Sequence, residues 1–169
     1  MNNEQAILEA RAKVIRGLRR KQELPGASVQ VVAFLLTSER YGIESIYVSE
    51  VLQLKNLTLI PGAPSFIAGV INLRGKIISV MNLKLLLNLK EKGLTEMNKI
   101  IVLQHGQMEF GIIADAIEGT LEIFTDTLSD PPSSLRGIDA EKIRGITADG
   151  LILLKGDQIL ADKNSNVNQ

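Results

Sequence analysis

Residues 69 to 83 read Gly69-Val-Ile-Asn-Leu-Arg-Gly-Lys-Ile-Ile-Ser-Val-Met-Asn-Leu83. Two apolar runs, Gly69–Leu73 and Lys76–Leu83, flank the pair Arg74-Gly75, which predicts a hairpin with a tight turn. Gly75 supplies the positive φ that such a turn often requires. Arg74 is unusual because it places a permanent charge beside two strands that are apolar enough to be buried. The stretch therefore predicts β-structure and marks Arg74 as a candidate functional residue.

The composition narrows the class of protein. The chain has 169 residues, of which 45% are hydrophobic and only 4% aromatic, so its core of Val, Ile and Leu suits β-structure and disfavours a base-stacking surface. Cys is absent and His105 is the only histidine, which excludes disulfides, thiolate metal sites and His clusters. We therefore predict neither a metal nor a cofactor. No apolar run reaches the length of a membrane span, and Met1–Glu9 is too polar for a signal peptide, so we expect a cytoplasmic protein.

The charge is unevenly distributed between the N-terminal segment and the rest of the chain. Residues 1–22 hold six Lys or Arg and two Glu, a sum of +4, and because the whole chain is neutral the remainder carries −4. The segment Glu4–Gln22 is predicted to be an amphipathic helix that ends before Leu24-Pro25-Gly26. Residues 1–25 are thus expected to form a basic helix and linker, which packs on the body or a partner or lies on a membrane. The acidic main body is not typical of a nucleic-acid binder.

From Ser28 onward the pattern changes to short strands, and the second half of the chain repeats the first. Phe110-Gly-Ile112 matches Tyr41-Gly-Ile43 at an offset of 69 residues, and Ile117 matches Val48 at the same offset. Two copies of about 65 residues predict two similar small β-barrels. We place both barrels, interlocked, within residues 28–161 and expect residues 162–169 to be a flexible tail.

Candidate catalytic groups are sparse. His105 falls in a predicted turn, where no positioned partner or pocket is visible. Asp115 and Glu118 could be read as paired carboxylates, but on a helical turn they would be i, i+3 neighbours on a solvated face. Val48–Leu52 and Lys84–Lys90 are likewise expected to form short helical segments. Neither a phosphate-binding glycine loop nor a Ser/His/Asp arrangement is present, so the sequence predicts that the protein is not an enzyme.

Arg74 has one plausible partner in the sequence. Glu50 is the only acid in the apolar stretch Ile46–Leu54, and we expect its carboxylate to lie within reach of the Arg74 guanidinium. The pair can be purely structural. Alternatively, Arg74 can fork onto the carboxylates or carbonyls of a partner protein, as arginine does at interface hot spots. The two roles are compatible.

The core Asn72-Leu-Arg-Gly75, in its context, closely resembles the signature of the CheW family of chemotaxis coupling proteins. The resemblance covers Val29 to Leu160. It rests on a set of short motifs in the family's order and spacing, which are Tyr41-Gly-Ile43, Val48–Val51, Pro64-Ser-Phe66, Gly69–Gly75, Val80-x-x-Leu83, Phe110-Gly-Ile112 and Leu151–Leu154.

This resemblance implies a fold and a function. CheW-like domains are mostly β, with two five-stranded SH3-like barrels packed together. They are non-catalytic adaptors that couple chemoreceptors to a CheA-type histidine kinase, whose homologous regulatory domain binds them end to end. The tip of the receptor docks along an apolar groove. The family thus implies a cytoplasmic protein associated with receptor arrays at the membrane, without nucleic acid or direct membrane insertion.

The family's binding positions carry over to named residues of this chain. Positions that match them are Val48, Glu50, Gly69 and Arg74. Together with Asn72 and Gly75 of the signature, these residues form the predicted receptor- and kinase-binding set.

Gly69 lies within a predicted strand, where a glycine often permits close approach of another backbone. If a receptor hairpin packs there, Gly69→Leu is expected to block docking while the barrel stays folded. The competing account is that Gly69 is needed for its own backbone angles, in which case any side chain would unfold the barrel.

Two positions depart from the family pattern. Ser79 stands where the family usually has Pro, and Asn82 stands where it usually has Asp. Asn caps a helix about as well as Asp, so the fold is expected to tolerate this change. The departures leave open a divergent CheW-like regulatory module for a non-flagellar pathway. An oligonucleotide-binding β-barrel is a further alternative, which the scarcity of aromatic residues disfavours.

Overall fold

The computed structural model describes residues 28–90, 93–132 and 140–167, and these residues are mostly β-structure. The ten strands are β1 (Val29–Leu36), β2 (Glu39–Glu44), β3 (Val48–Gln53), β4 (Ile67–Leu73), β5 (Lys76–Met81), β6 (Lys99–His105), β7 (Met108–Ala114), β8 (Ala116–Ile123), β9 (Ile143–Ile146) and β10 (Ile152–Leu154). The two α-helices are α1 (Leu83–Leu86) and α2 (Gly156–Val167). Neither helix of these ranges has the length and apolar character needed to cross a membrane. The predicted helix Glu4–Gln22 and the rest of segment 1–25 lie outside the described residues.

The strands form two five-stranded sheets. The first sheet has the order β8-β1-β2-β10-β9, and the second has the order β3-β6-β7-β5-β4. This arrangement confirms the predicted mostly β fold with two five-stranded units.

The first repeat contains β1–β5 and the second contains β6–β10. If each strand is exchanged for its counterpart in the other repeat, β1 for β6 and so on, the strand order of one sheet becomes that of the other. In both sheets the last strand of one repeat runs parallel to the second strand of the other, with Val80 opposite Gly111 and Leu153 opposite Gly42. Each sheet therefore combines two strands of one repeat with three of the other. The predicted duplication is confirmed, and the chain crosses between the two sheets twice, between β2 and β3 and between β7 and β8.

The central glycine of each repeated motif is required by its neighbours. A Cβ added at Gly42 would lie 2.5 Å from a methyl of Val31, and one added at Gly111 would lie 2.6 Å from a methyl of Ile100. Val31 and Ile100 are themselves related by the offset of 69 residues. The same contact between adjacent strands thus recurs in both repeats.

The core is shared between the sheets. A central cluster takes side chains from both sheets and from α2, which include Phe34, Tyr41, Ile43, Met81, Leu103, Phe110, Ile112, Leu154 and Ile159. Each sheet also covers a smaller cluster on its other face. Strands that are buried on both faces read as continuous apolar runs rather than alternating ones. This explains the apolar runs Val31–Leu36 in β1, Phe110–Ala114 in β7 and Ile152–Leu154 in β10.

Two local predictions are wrong. Val48–Leu52 is part of strand β3, because its backbone pairs with β6 from Val48 opposite Leu103 onward. Asp115 lies between β7 and β8, and Glu118 lies within β8, so they are not neighbours on a helix. A short apolar segment cannot be assigned to helix or strand by periodicity alone, and here pairing with a distant strand decides.

The chain continues after β10 into a C-terminal helix. Residues 162–167 continue helix α2. Ile159 and Leu160 anchor this helix in the central core.

Tyr41 predicts a loss of stability at high pH. Burial in the central core, reinforced by the hydrogen bond from its hydroxyl to Glu39 Oε2 at 3.0 Å, raises the pKa of Tyr41 well above its ordinary value of 10.0. The folded state then holds a proton that the unfolded state loses, so this contribution is complete below about pH 10 and is lost as the pH rises toward the folded pKa. Urea unfolding at pH 7 and at about pH 11 should show a smaller alkaline loss for Tyr41→Phe than for the wild type. Equal losses in both proteins would contradict this assignment.

Candidate functional site

The signature residues build the turn between β4 and β5. Arg74 and Gly75 both have positive φ, 52° and 83°, and Leu73 pairs with Lys76 across them. These values are typical of a two-residue type I′ hairpin turn. The Asn72 Oδ1 atom accepts a hydrogen bond of 2.8 Å from the Gly75 backbone N–H. Asn72 and Gly75 therefore fix the conformation that presents Arg74.

Arg74 forms the predicted ion pair with Glu50. The distance from Arg74 Nη2 to Glu50 Oε2 is 2.8 Å, and the two side chains are 76% and 22% exposed. β3 and β4 are the opposite edges of the second sheet. The sheet curls so that these two edges approach each other, and the ion pair links them. We call this line, where β3 and its following connection approach β4, the seam.

The seam also contains a backbone contact that explains Gly69. Thr58, in the connection from β3 to β4, exchanges two hydrogen bonds with Val70, of 2.9 and 2.8 Å. A Cβ on Gly69 would lie 2.3 Å from the Thr58 carbonyl oxygen, and Gly69 has a φ of 156°. The backbone that approaches Gly69 is therefore the chain's own. This crowding argues against the expectation that Gly69→Leu would leave the barrel folded.

A groove of 530 Å³ runs along the seam beside the ion pair. Its lining includes apolar and polar residues of both edges, among them Leu52, Gln53, Thr58, Val70, Asn72 and Ile77. Ile77 is 62% exposed, and the neighbouring Val51 of β3 is 42% exposed. An exposed apolar surface next to a fixed, charged arginine is typical of a protein-binding site.

Val48 occupies a different place from the other predicted residues. It is half-buried at the start of β3 and lines a hollow of 350 Å³ with Tyr47 and His105. The rings of Tyr47 and His105 contact each other with their centroids 5.6 Å apart. The structure thus brings Glu50, Asn72, Arg74 and Gly75 together, places Gly69 beneath the seam, and puts Val48 at a second hollow.

The groove residues contributed by β3 and the following connection were not predicted from the sequence. Leu52 was expected in a helical turn, and nothing in the sequence singled out Gln53 or Thr58 as candidates. The residue types of Val48–Gln53 do not alternate between apolar and polar, although the burial of their side chains does, so the sequence contained no clear indication of a strand. The ion pair of Lys76 with Glu109, at 2.9 Å, was also missed, because the neighbour relation of β5 and β7 is not local in sequence.

A comparison with protein families identifies this arrangement. Residues 30–164 match the family model described as the CheW-like domain. The chain belongs to the CheW-like family. The chemotaxis protein CheW of Treponema pallidum is 31% identical over 141 residues, which cover 79% of this chain and 83% of that protein. CheW of Klebsiella aerogenes is 30% identical over 152 residues, covering 87% and 92% of the two chains.

Solved structures give the same result. The crystal structure of the scaffolding protein TtCheW from Thermoanaerobacter tengcongensis superposes with a TM-score of 0.67 at 35% sequence identity. The match covers 75% of this chain and 88% of TtCheW.

Asn82 stands where the CheW pattern usually has Asp, and it still caps the helix that follows. Asn82 Oδ1 accepts a hydrogen bond of 3.1 Å from the Lys84 backbone N–H, so Asn82 is the N-cap of α1. An asparagine satisfies this position as well as an aspartate does.

Proposed function

We propose that this protein is a non-catalytic adaptor that couples chemoreceptors to a CheA-type histidine kinase. Membership of the CheW-like family supports this function. In this proposal the protein works in the cytoplasm, at receptor arrays on the membrane, and its partners are the cytoplasmic tip of the receptor and the regulatory domain of the kinase. Each of its curled sheets corresponds to one SH3-like barrel.

The main support for this proposal is that the β4–β5 turn holds the Arg74 side chain exposed to solvent. The guanidinium has five N–H donors. Within the described residues, one hydrogen bond engages it, to Glu50, and the side chain is 76% exposed. The remaining donors face solvent beside the groove, where they can bind carbonyls or carboxylates of a docked helical hairpin.

The coupling requires no chemistry in this protein. The apolar walls of the groove bury side chains of the receptor, and Arg74 sets the register of the contact. Glu50 holds the arginine in place, which reduces the side-chain entropy lost on binding. The kinase domain binds at a separate edge of the protein, so that both partners are held in one geometry.

Charge reversal at the pair tests the proposal. Arg74→Glu and Glu50→Arg are each expected to weaken binding of a receptor cytoplasmic fragment by about 30-fold, the effect of losing one interface hot spot. The double variant should recover part of this affinity if the pair determines the geometry. Fluorescence anisotropy with a labelled receptor fragment measures all three.

Lys76→Glu is the matched control. It makes the same charge change two residues away, at a side chain that is 59% exposed and pairs with Glu109. The affinity of this variant should stay close to that of the wild type. If Lys76→Glu weakens binding as much as Arg74→Glu, the effect is general electrostatics and the specific role of Arg74 is wrong.

A further inference from the structure

Asp115 lies where the chain crosses from one sheet to the other. It follows β7, a strand of the second sheet, and precedes β8, a strand of the first. Its backbone N–H donates a hydrogen bond of 2.9 Å to the Leu35 carbonyl in β1. The backbone of Asp115 is therefore hydrogen-bonded to the first sheet, independently of its side chain.

The Asp115 carboxylate joins segments that belong to both sheets. Its Oδ1 accepts from Lys84 Nζ at 2.7 Å and from Asn98 Nδ2 at 3.0 Å. Lys84 in α1 follows β5, and Asn98 precedes β6, so both are attached to the second sheet. The Oδ2 atom accepts from the Thr37 backbone N–H at 2.7 Å, in the β1–β2 turn of the first sheet.

Two features show that this contact is strongly constrained. The Lys84 side chain is 6% exposed, although lysine is rarely buried without a countercharge. Thr37 has a φ of 56°, a strained value for a β-branched residue that persists only where the surroundings impose it. A buried ion pair of this kind contributes little to stability compared with an apolar contact, and its best-supported role is to specify one geometry.

We propose that Asp115 and Lys84 are positioning residues that fix the orientation of the first sheet relative to the second. The adaptor role adds a consequence, which rests on the proposed function. If receptor and kinase bind at different sheets, the pair sets the geometry in which the two partners are held.

Lys84→Met is the variant that tests this pair. It removes the buried ammonium and keeps most of the length of the side chain, while Asp115 is 28% exposed and retains its Asn98 and Thr37 donors. Asp115→Asn is less suitable, because it would leave the Lys84 ammonium buried without a countercharge.

The orientation can be measured directly. The natural chain has no cysteine, so Gln107→Cys in the β6–β7 turn and Glu122→Cys in β8 provide two unique, exposed sites for spin labels. Pulsed dipolar spectroscopy should give a narrow distance distribution for the otherwise native chain and a wider or displaced one for Lys84→Met. Lys84→Arg should restore the narrow distribution, because arginine keeps the charge and can fork onto the carboxylate.

Lys76→Met is the control for the loss of an ion pair. The Lys76–Glu109 contact joins β5 and β7 of the same sheet, so its loss should leave the distance between the sheets unchanged. An unchanged distribution in Lys84→Met would overturn the proposal. Should Lys84→Met fail to fold, Lys84→Gln retains one donor toward Asp115, and a native distribution in that variant would equally contradict the charge-dependent role.

A second readout separates this inference from the adaptor function. In Lys84→Met the affinity for the receptor fragment alone should stay native, while kinase activation in the assembly with receptor should fall by about tenfold, a typical coupling free energy. If the native chain binds neither partner, the adaptor function is wrong, whereas the distance measurement still decides the role of the pair.

Discussion

Gly69→Ala is expected to destabilise the protein by about 3 kcal/mol or more, whereas Gly75→Ala should cost about 1 kcal/mol. Both glycines have positive φ, so alanine introduces backbone strain at both. Only at Gly69 does the new Cβ also overlap a neighbour, the Thr58 carbonyl oxygen at 2.3 Å, while the space around Gly75 is open to 4 Å. The difference between the two variants therefore isolates the close contact at the seam.

Urea unfolding followed by circular dichroism measures both values. Gly69→Leu should unfold at still lower urea concentrations, because a larger side chain must displace the Thr58 backbone. If Gly69→Ala is no less stable than Gly75→Ala, the seam is loose enough to admit a side chain. In that case the earlier hypothesis of a receptor backbone packed on Gly69 becomes tenable again.

Phe110→Ala is the second variant with a large expected effect, a loss of about 3–5 kcal/mol. Phe110 is fully buried in the central core, which both sheets and α2 share. Because the central core takes side chains from both sheets, neither sheet can bury its share of that core without the other. We therefore expect the described domain to unfold in one cooperative transition, with a lowered midpoint in the variant.

Two probes distinguish a single cooperative transition from independent unfolding of the two sheets. Far-ultraviolet circular dichroism reports on all strands, and fluorescence of Tyr41 and Tyr47 reports on the first sheet and the connection between the sheets. Ile77→Ala is a control, since Ile77 is 62% exposed and should change stability by less than about 0.5 kcal/mol. Separate transitions for the two probes would show that the shared core does not couple the sheets.

Much of the candidate site was predictable from the sequence because its determinants are local. Gly75 predicted a turn with positive φ, and Glu50 was the only acid in the stretch Ile46–Leu54 that could pair with Arg74. The structure confirms the turn and the ion pair. The matched Tyr-Gly-Ile and Phe-Gly-Ile motifs predicted a duplication, and the identical strand orders confirm it.

Other features required the tertiary structure because they depend on residues far apart in the chain. The seam exists only when the second sheet curls and brings Thr58 onto Val70, which turns Gly69 from an apparent docking position into a packing requirement. Asp115 was expected on a solvated face, and nothing within a few residues of Lys84 or Asp115 indicates that the two side chains meet.

The sequence alone thus determined the secondary structure of the longer strands, the repeat and the turn that presents Arg74, because hydrophobic periodicity and turn chemistry act over a few residues. Tertiary structure alone decided that Val48–Gln53 is a strand, that the repeats exchange strands, and that a lysine and an aspartate meet between the sheets. These outcomes follow from burial and pairing across long separations, where the free energy of a shared core overrides weak local preferences.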